Sequence, residues 1–155
     1  MKSEGDCYPI SQLKKDKTTP WSGVWNYQAR NFMRDMSIGD MVLFYHSSSK
    51  PNGVYGVAKV VKLAHPDLTA QDSKDDHFDP KSTKEKPIWE CVDVGYVSTY
   101  AKPVSLTDMK KTSTLGNMKL FQTGSRLSVM PVTEKQFNII CHLFFIRNFI
   151  FSKIQ

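Results

Sequence analysis

The chain has 155 residues, with 21 Lys and Arg against 15 Asp and Glu, a formal net charge of +6 and a sequence pI of about 9.2. This length favours a single domain with a real core and leaves too little chain for two ordinary domains. The positive charge favours a polyanionic partner, nucleic acid first, over a cationic one, although the basic residues are scattered and form no long tail.

The cysteines and the hydropathy of the chain indicate the cellular compartment in which we expect the protein. Cys7, Cys91 and Cys141 lie far apart and share no CxxC spacing, which is typical of free thiols in a reducing environment. The first residues, MKSEGDCYP, contain no apolar run of the kind a signal peptide needs, and no stretch reaches the length of a membrane-spanning helix. We therefore expect a cytoplasmic protein, or a nuclear one if the source is eukaryotic, that is monomeric and does not enter a membrane.

Two helices are predicted in the first third of the chain. The stretch ISQLKKDK predicts a short helix, and residues 25–36 predict a longer one. Apolar residues of the longer helix fall three or four positions apart on one stripe that can face a core: Trp25, Ala29, Phe32, Met33 and Met36. Polar residues collect elsewhere on the same helix: Asn26, Tyr27, Arg30 and Asn31.

A β-hairpin is predicted next. Gly39-Asp40 ends the longer helix and leads into a β-rich run at residues 41–46. After the turn-rich segment SSSKPNG, a second β-rich run covers residues 54–63, where Gly56 marks a bulge or a close approach of two backbones. These two runs are expected to pair with each other.

The second half of the chain has a mixed order of elements. Residues 66–87 contain three prolines and many charges, which predicts a long surface loop. A strand is predicted over residues 88–100, a helix over 105–111, a further strand over 126–132 and a closing helix from Thr133. The order shows neither repeats nor a regular βαβ alternation, and it predicts an α+β domain with a curved mixed sheet or small β-barrel flanked by short helices.

The sequence contains no recognised motif for catalysis or for metal binding. It lacks the G-x-S-x-G, H-E-x-x-H and G-x-x-x-x-G-K-[ST] patterns, and nothing in it pairs a particular cysteine with a particular histidine. The acidic stretch HPDLTAQDSKDDHFDP lacks the glycine and final glutamate of a calcium loop. A solvated loop is therefore favoured over a metal site built from His65, Asp67, Asp76 and His77. We expect no catalytic residue, no metal and no cofactor.

The segment PWSGVWNYQARNFM, residues 20–33, combines rings, amides and a guanidinium in a way that is atypical of a core. Aromatic rings provide faces on which a nucleobase can stack, worth about 1–3 kcal/mol per base, and amides can read base edges. Trp21 is expected on a loop, with one ring face open to a concave pocket, because it lies between Pro20 and Ser22-Gly23. Trp25 and Trp89 fit a core position better.

Several segments, taken in order, closely resemble the EVE domain family: MKSEG, WSGVWNYQARNFMRDMSIGDMVLFYHS, GVAKVVKLAHPD, FDPKS, PIWECVDVGYV and RLSVMPVT. The resemblance extends from Lys2 to about Ile140. It implies a PUA-like fold related to the YTH and ASCH domains, with a pocket for a modified base and no established catalytic activity. We take residues 1–143 as this domain and residues 144–155 as an unassigned apolar tail, whose deletion is expected to leave fold and ligand binding intact.

The resemblance also implies roles for individual residues. Trp21 and Tyr27 become aromatic walls of the pocket and Asn26 a base-edge partner, with Arg30 and Asn31 on the same helix. The first strand and its neighbour supply pocket-lining residues: Lys2, Ser3, Phe44, Tyr45, His46 and Ser47. Two further strands close or support the site through Trp89, Asp93, Leu127 and Ser128. Trp25 stands where the family usually has Arg, which implies a weaker contact with phosphate.

The leading hypothesis is a non-catalytic module that reads a modified base, such as methylated cytosine or adenine, in DNA or RNA. The alternatives are an enzyme acting on modified nucleotides or bases, and a protein-interaction module. Perturbed His or Cys groups converging in the pocket would favour the enzyme, whereas rings and neutral amides would favour the reader.

Overall fold

The computed structural model describes residues 1–122, 124 and 127–152, with residues 146–152 described by their backbone alone. Five strands form one mixed sheet: β1 (Lys2–Glu4), β2 (Thr18–Pro20), β3 (Met41–Ser47), β4 (Gly53–Pro66) and β5 (Glu90–Ser105). Their spatial order is β1-β3-β4-β5-β2. β1 runs parallel to β3, and the other neighbouring pairs are antiparallel. This arrangement confirms the predicted α+β class and mixed sheet.

Four α-helices accompany the sheet within the described residues: α1 (Ile10–Asp16), α2 (Tyr27–Arg34), α3 (Leu106–Lys111) and α4 (Glu134–Ser152). The Asn26 side chain begins α2 by accepting a hydrogen bond from the Ala29 N–H at 3.0 Å. Thr133 and Gln136 begin α4 as a capping box, because each backbone N–H donates to the side-chain oxygen of the other, at 3.0 and 3.2 Å. Within the described part of the chain, none of these helices has the length and apolarity needed to cross a membrane.

The sheet separates two hydrophobic clusters, because successive side chains of a strand point to opposite faces. Val42 and Phe44 of β3 belong to a first cluster with residues of α1 and α2. Leu43 and Tyr45 belong to a second cluster that contains Met109 of α3 and Ile140 of α4. The first cluster therefore backs the segment that carries residues 20–33.

The hairpin of β3 and β4 is confirmed, and so is the special position of Gly56. The register of β4 against β5 shifts between Val54 and Gly56. A Cβ atom added to Gly56 would collide with the Ser98 carbonyl oxygen. The glycine thus permits a close approach of two backbones that any side chain would block.

Two local expectations are wrong, and one strand was not expected at all. The second helix begins at Tyr27 instead of residue 25, so Trp25 lies outside it and is 50% exposed instead of joining the apolar stripe. Residues 127–132 form no strand, whereas Arg126, the first residue of the predicted run, lies outside the described residues. β2 was not predicted, because a three-residue edge strand that ends in proline carries no periodic pattern.

The apolar tail begins inside α4, since this helix continues past residue 143 to Ser152. The Phe144 ring stacks on the Tyr100 ring with centroids 4.0 Å apart and planes 8° apart. Phe144 also packs against the second cluster. A deletion from residue 144 would remove these contacts. We therefore expect the deletion to destabilise the fold, contrary to the expectation from the sequence that the fold tolerates it.

The stack gives a direct test by substitution. Phe144→Ala should lower the free energy of unfolding by about 2 kcal/mol, somewhat less than a fully buried Phe→Ala change because Phe144 is half-buried. Phe145→Ala is the matched control, since its ring is 61% exposed, and it should change stability by about 0.5 kcal/mol or less. Urea unfolding of both variants measures the difference, and equal stabilities would contradict a structural role for Phe144.

Candidate functional site

A row of rings runs from the residue 20–33 segment to the end of β3. The Trp21 ring meets Phe44 edge-on at a centroid distance of 5.3 Å, and Phe44 meets His46 edge-on at 5.5 Å. His46 stacks on Tyr55 at 4.1 Å with an interplanar angle of 18°. Trp21 is only 7% exposed. The structure therefore places this ring in the first cluster instead of leaving one face open to a concave pocket.

The burial of Trp21 has a backbone cause. Its N–H donates to the Val92 carbonyl at 2.8 Å, directly beyond the pairing of Pro20 with Asp93. This bond extends the contact of β2 with β5 and directs the side chain inward. A buried tryptophan contributes to the core, so Trp21→Ala is expected to reduce stability, contrary to the sequence-based expectation.

Tyr45 does not join the other ring residues of β3. It lies in the second cluster, whereas Phe44 lies in the first. Alternation along the strand excludes a single pocket lined by both side chains. Burial raises the pKa of the Tyr45 hydroxyl, as expected for a group surrounded by apolar side chains.

The ends of β1 and β3 do bring several predicted residues together. Ser3 lies opposite His46 in the parallel pairing, and the Ser47 hydroxyl donates to the Ser3 carbonyl at 3.3 Å. The Lys2 N–H donates to the Ser128 carbonyl at 2.7 Å, and Leu127 packs against the first cluster. We call Ser3, His46, Ser47 and Ser128 the polar strand end.

His46 links this polar strand end to α1. The N–H of Ile10, the first residue of α1, donates to His46 Nε2 at 3.1 Å. The neutral ring must then carry its proton on Nδ1. Burial lowers the pKa of His46 below its usual 6.5, because the charged imidazolium is poorly solvated there.

A second group of predicted residues lies where α2 faces the beginning of β5. The Tyr27 and Trp89 rings are 4.9 Å apart and tilted by 33°, and Arg30 Cζ lies 5.0 Å from the Tyr27 ring centroid. The Arg30 guanidinium donates to the Ile88 carbonyl at 2.8 Å and also to Asn31 Oδ1. Trp89 is buried, whereas Tyr27 is 59% exposed. Tyr27 is therefore available to a ligand.

Trp25 is an accessible ring that sequence reasoning assigned to the core. Its ring stands edge-on to His77 at a centroid distance of 6.4 Å. Gly23 permits this arrangement, since its φ is +74° and an added Cβ would lie 2.8 Å from the His77 ring. The sequence contained one signal for this exposed position. Asn26 is a typical helix-capping residue, so Trp25 precedes the helix and does not belong to its apolar stripe.

A buried carboxylate holds the residue 20–33 segment against the loop after β4. Asp67 is 1% exposed, and its Oδ2 accepts a hydrogen bond from the Gly23 N–H at 2.8 Å. Its Oδ1 accepts from the Thr69 N–H at 3.0 Å and from the Thr69 hydroxyl at 2.7 Å. Three donors offset the cost of removing this carboxylate from water. Asp67 therefore positions the aromatic segment.

The residues proposed as the weaker metal-site alternative do not converge. Asp67 is engaged by backbone and hydroxyl donors, His65 contacts Asp93, and His77 contacts Asp75. Among the described residues, no group of three or more His, Cys, Asp or Glu side chains is arranged to hold a metal ion.

Cys91, His65 and Asp93 resemble a catalytic triad in composition but not in geometry. Cys91 Sγ and Asp93 Oδ1 approach the same nitrogen, His65 Nε2, at 3.9 and 2.7 Å. A base that takes a thiol proton needs one ring nitrogen for the thiol and the other for the carboxylate. Burial first, and then the charges of Asp67 and Asp93, raise the pKa of Cys91 to about 12. This thiol is protonated at neutral pH and is a poor nucleophile.

Removal of the Asp67 carboxylate tests its positioning role. Asp67→Ala should lower the free energy of unfolding by about 2–4 kcal/mol, because it leaves the Gly23 and Thr69 N–H donors without their acceptor. Asp72→Ala is the control, since this exposed carboxylate accepts from the Lys74 N–H, two residues away in the chain. Thermal melting of both variants provides the measurement, and a similarly small loss of stability in each would contradict the positioning role of Asp67.

The buried imidazole predicts a pH dependence of stability. Because the pKa of His46 is lower in the folded state, the unfolded state binds more protons in the interval below pH 6.5. Stability should therefore fall as the pH is lowered through that interval and level off below the folded-state pKa. His46→Gln can still accept the Ile10 N–H and should flatten the profile, whereas His142→Gln, at an exposed position of α4, should not. Identical pH profiles of stability for the wild-type protein and both variants would contradict the assignment of this pH dependence to His46.

Comparison with known proteins places the chain in a family. The EVE domain family model matches residues 1–143. Thymocyte nuclear protein 1 of Gallus gallus is 41% identical over 146 residues, which cover 88% of this chain and 60% of that protein, so the chain spans about three fifths of that curated relative.

Solved structures show the same fold. A hypothetical protein from Leishmania major superposes with a TM-score of 0.92 at 47% identity, over 96% of this chain and 94% of that one. The human THYN1 protein in complex with 5-methylcytosine-containing DNA superposes with a TM-score of 0.87 at 37% identity, over 93% of this chain and 95% of that one. Sequence and fold agree in these comparisons, and the chain belongs to the EVE domain family.

Proposed function

We propose that this chain is a non-catalytic nucleic-acid-binding domain that reads a modified base, with 5-methylcytosine in DNA as the first candidate. The observation that carries the proposal is the likeness to the human THYN1 protein, whose structure was solved with DNA containing this base. The net charge of +6 supports a polyanionic partner. RNA and other methylated bases are the alternatives that the binding experiment below separates.

The two groups of site residues suit different parts of such a ligand. The exposed rings of Trp25 and Tyr27 offer stacking surfaces at the protein surface. The polar strand end offers hydroxyl and carbonyl groups for the edge of a base that has left the stack. Extrusion of a base costs a few kcal/mol, which new stacking and edge hydrogen bonds would offset. Trp21 packs in the core behind this segment, and Asp67 holds the backbone at Gly23, between Trp21 and Trp25.

A non-catalytic role is supported by the chemistry of the one Cys–His–Asp cluster described above. An enzyme that acts on modified bases through a cysteine would need a thiolate within reach of substrate. Cys91 is buried and its pKa is raised to about 12. A lowered pKa and an open position are the usual properties of a nucleophilic cysteine, and Cys91 has neither.

Cellular location and assembly complete the proposal. Curated relatives bear the name thymocyte nuclear protein 1, which favours the nucleus over the cytoplasm first expected for this chain. A monomer is the expected binding unit. Size-exclusion chromatography with light scattering would test the assembly state in the presence and absence of oligonucleotide.

The central prediction concerns base discrimination. A duplex oligonucleotide with one 5-methylcytosine should bind at least about tenfold more tightly than the same duplex with cytosine, a difference of 1.4 kcal/mol. Both affinities should fall as salt rises, because phosphate contacts release counterions. Fluorescence anisotropy with matched duplexes, single strands and RNA measures this preference. Equal affinity for all methylated and unmethylated probes would contradict the proposed function.

The exposed rings are expected to contribute to affinity without contributing much to stability. Trp25→Ala and Tyr27→Ala should each weaken binding by about 1–3 kcal/mol, the range for one stacking partner. Phe145→Ala removes a similarly exposed ring on α4 and should leave binding unchanged. Trp21 and Trp89 are buried, so quenching of exposed tryptophan fluorescence by oligonucleotide should disappear in Trp25→Phe. Unchanged binding and quenching would exclude the rings from the interface.

A further inference from the structure

Leu68 is the most exposed of the large apolar side chains that the structure describes, at 71%. A single exposed leucine on a protein surface needs no explanation by itself. Leu68 differs because its backbone is fixed on both sides. The N–H of Asp67, which precedes it, donates to the Trp89 carbonyl at 3.0 Å, and the Leu68 carbonyl accepts from the Gln71 N–H at 3.1 Å. The chain therefore presents this apolar side chain to solvent from a firmly held backbone.

The turn that follows Leu68 is fastened to the rest of its loop. It is a single turn of 3-10 helix, Thr69–Gln71. Ala70 in this turn is fully buried, and its carbonyl accepts from the Asp79 N–H at 3.0 Å. A backbone that is already ordered has little conformational entropy left to lose when its side chain enters a ligand. Leu68 is thus preorganised for contact.

The hydrogen bonds of Asp67 bring Leu68 close to the exposed rings of the candidate site. The Asp67 carboxylate accepts from the N–H that lies two residues before Trp25 in the chain. The Asp67 N–H donates to the carbonyl of Trp89, whose ring contacts the ring of Tyr27. Leu68 therefore follows directly after a residue that is bonded next to both exposed rings. A contiguous exposed apolar surface of this kind marks an interaction site more often than scattered apolar residues do.

The charge of the loop after β4 indicates which part of a nucleic acid it can meet. Residues 66–87 carry more Asp and Glu than Lys, in a chain whose formal net charge is +6. Carboxylates of this loop are engaged within it, as when Asp75 Oδ1 accepts from the His77 N–H at 2.8 Å. Such a loop does not attract phosphates, so phosphate contacts fall to the basic remainder of the chain. Leu68 is the group that this loop offers to the apolar faces of bases.

We propose that Leu68 is a wedge that enters the base stack of duplex DNA in the space left by an extruded modified base, an inference that rests on the proposed function. Apolar side chains, leucine among them, insert between base steps and partly unstack them. Insertion removes the exposed Leu68 side chain from water and fills the gap in the stack. A single strand has no duplex to open, so the wedge contributes to duplex binding alone.

The test compares duplex and single-stranded probes that carry one 5-methylcytosine in the same sequence. Leu68→Ala should weaken duplex binding by about tenfold or more and leave single-strand binding within about twofold of wild type. Leu68→Met keeps an apolar wedge and should bind the duplex within about threefold of wild type. Leu63→Ala is the matched control, since Leu63 of β4 is also exposed, at 52%, and this variant should bind both probes as wild type does.

Insertion itself is measured with 2-aminopurine next to the 5-methylcytosine in the duplex. The fluorescence of 2-aminopurine rises when the base is unstacked. Saturating wild-type protein should produce this rise, and saturating Leu68→Ala should produce less than half of it. Because both proteins are saturating, the comparison is independent of their affinities. Thermal melting of the variant should match that of wild type, since Leu68 is not part of the core.

The outcomes separate the wedge from the proposed function. A wild-type chain without preference for 5-methylcytosine over cytosine in either probe overturns both. The wedge alone is overturned if the preference exists in single strands and the duplex is not bound, or if Leu68→Ala binds the duplex as tightly as wild type. Equal losses on duplex and single strand would make Leu68 an ordinary contact and overturn the wedge as well. An unchanged rise of fluorescence with Leu68→Ala would do the same.

Discussion

The alternation of side chains along β3 organises the molecule. This strand lies between β1 and β4, and its backbone is paired on both sides over its second half. Its side chains point alternately to the two faces of the sheet. Phe44 and His46 face one side, where they meet Trp21 and Tyr55, and Leu43 and Tyr45 face the other side. A shift of one residue would exchange the two sets and destroy both clusters. The position of the candidate site follows from this register.

The candidate site also depends on one buried charge. Asp67 belongs to the loop after β4, yet its carboxylate accepts from Gly23, which lies 44 residues earlier in the chain. The bond holds the turn between Trp21 and Trp25, so one ring is directed into the core and the next remains exposed. The polar strand end is held by a different set of bonds, those among Ser3, Ser47 and the backbone near Ser128. The residue 20–33 segment and the polar strand end are thus held by independent contacts.

The predictions from the sequence were correct where the local sequence pattern and the tertiary contacts favour the same secondary structure. The hairpin of β3 and β4, the first helix and the third helix were all predicted, because apolar alternation and helical spacing are signals within a few residues. They failed where a distant contact decided the outcome. Leu127 packs against the first cluster without joining a strand, and β2 is strand only because β5 lies beside it.

The sequence by itself determined the family, the α+β class, the positive charge and which residue types are available for base recognition, since these depend on composition, order and short-range pattern. Only the tertiary structure decided which of those residues are accessible. Trp21 and Trp25 lie four positions apart in one segment, yet one is buried against Phe44 and the other stands beside His77. Exposure depends on which distant segments cover a residue, and local sequence does not encode that.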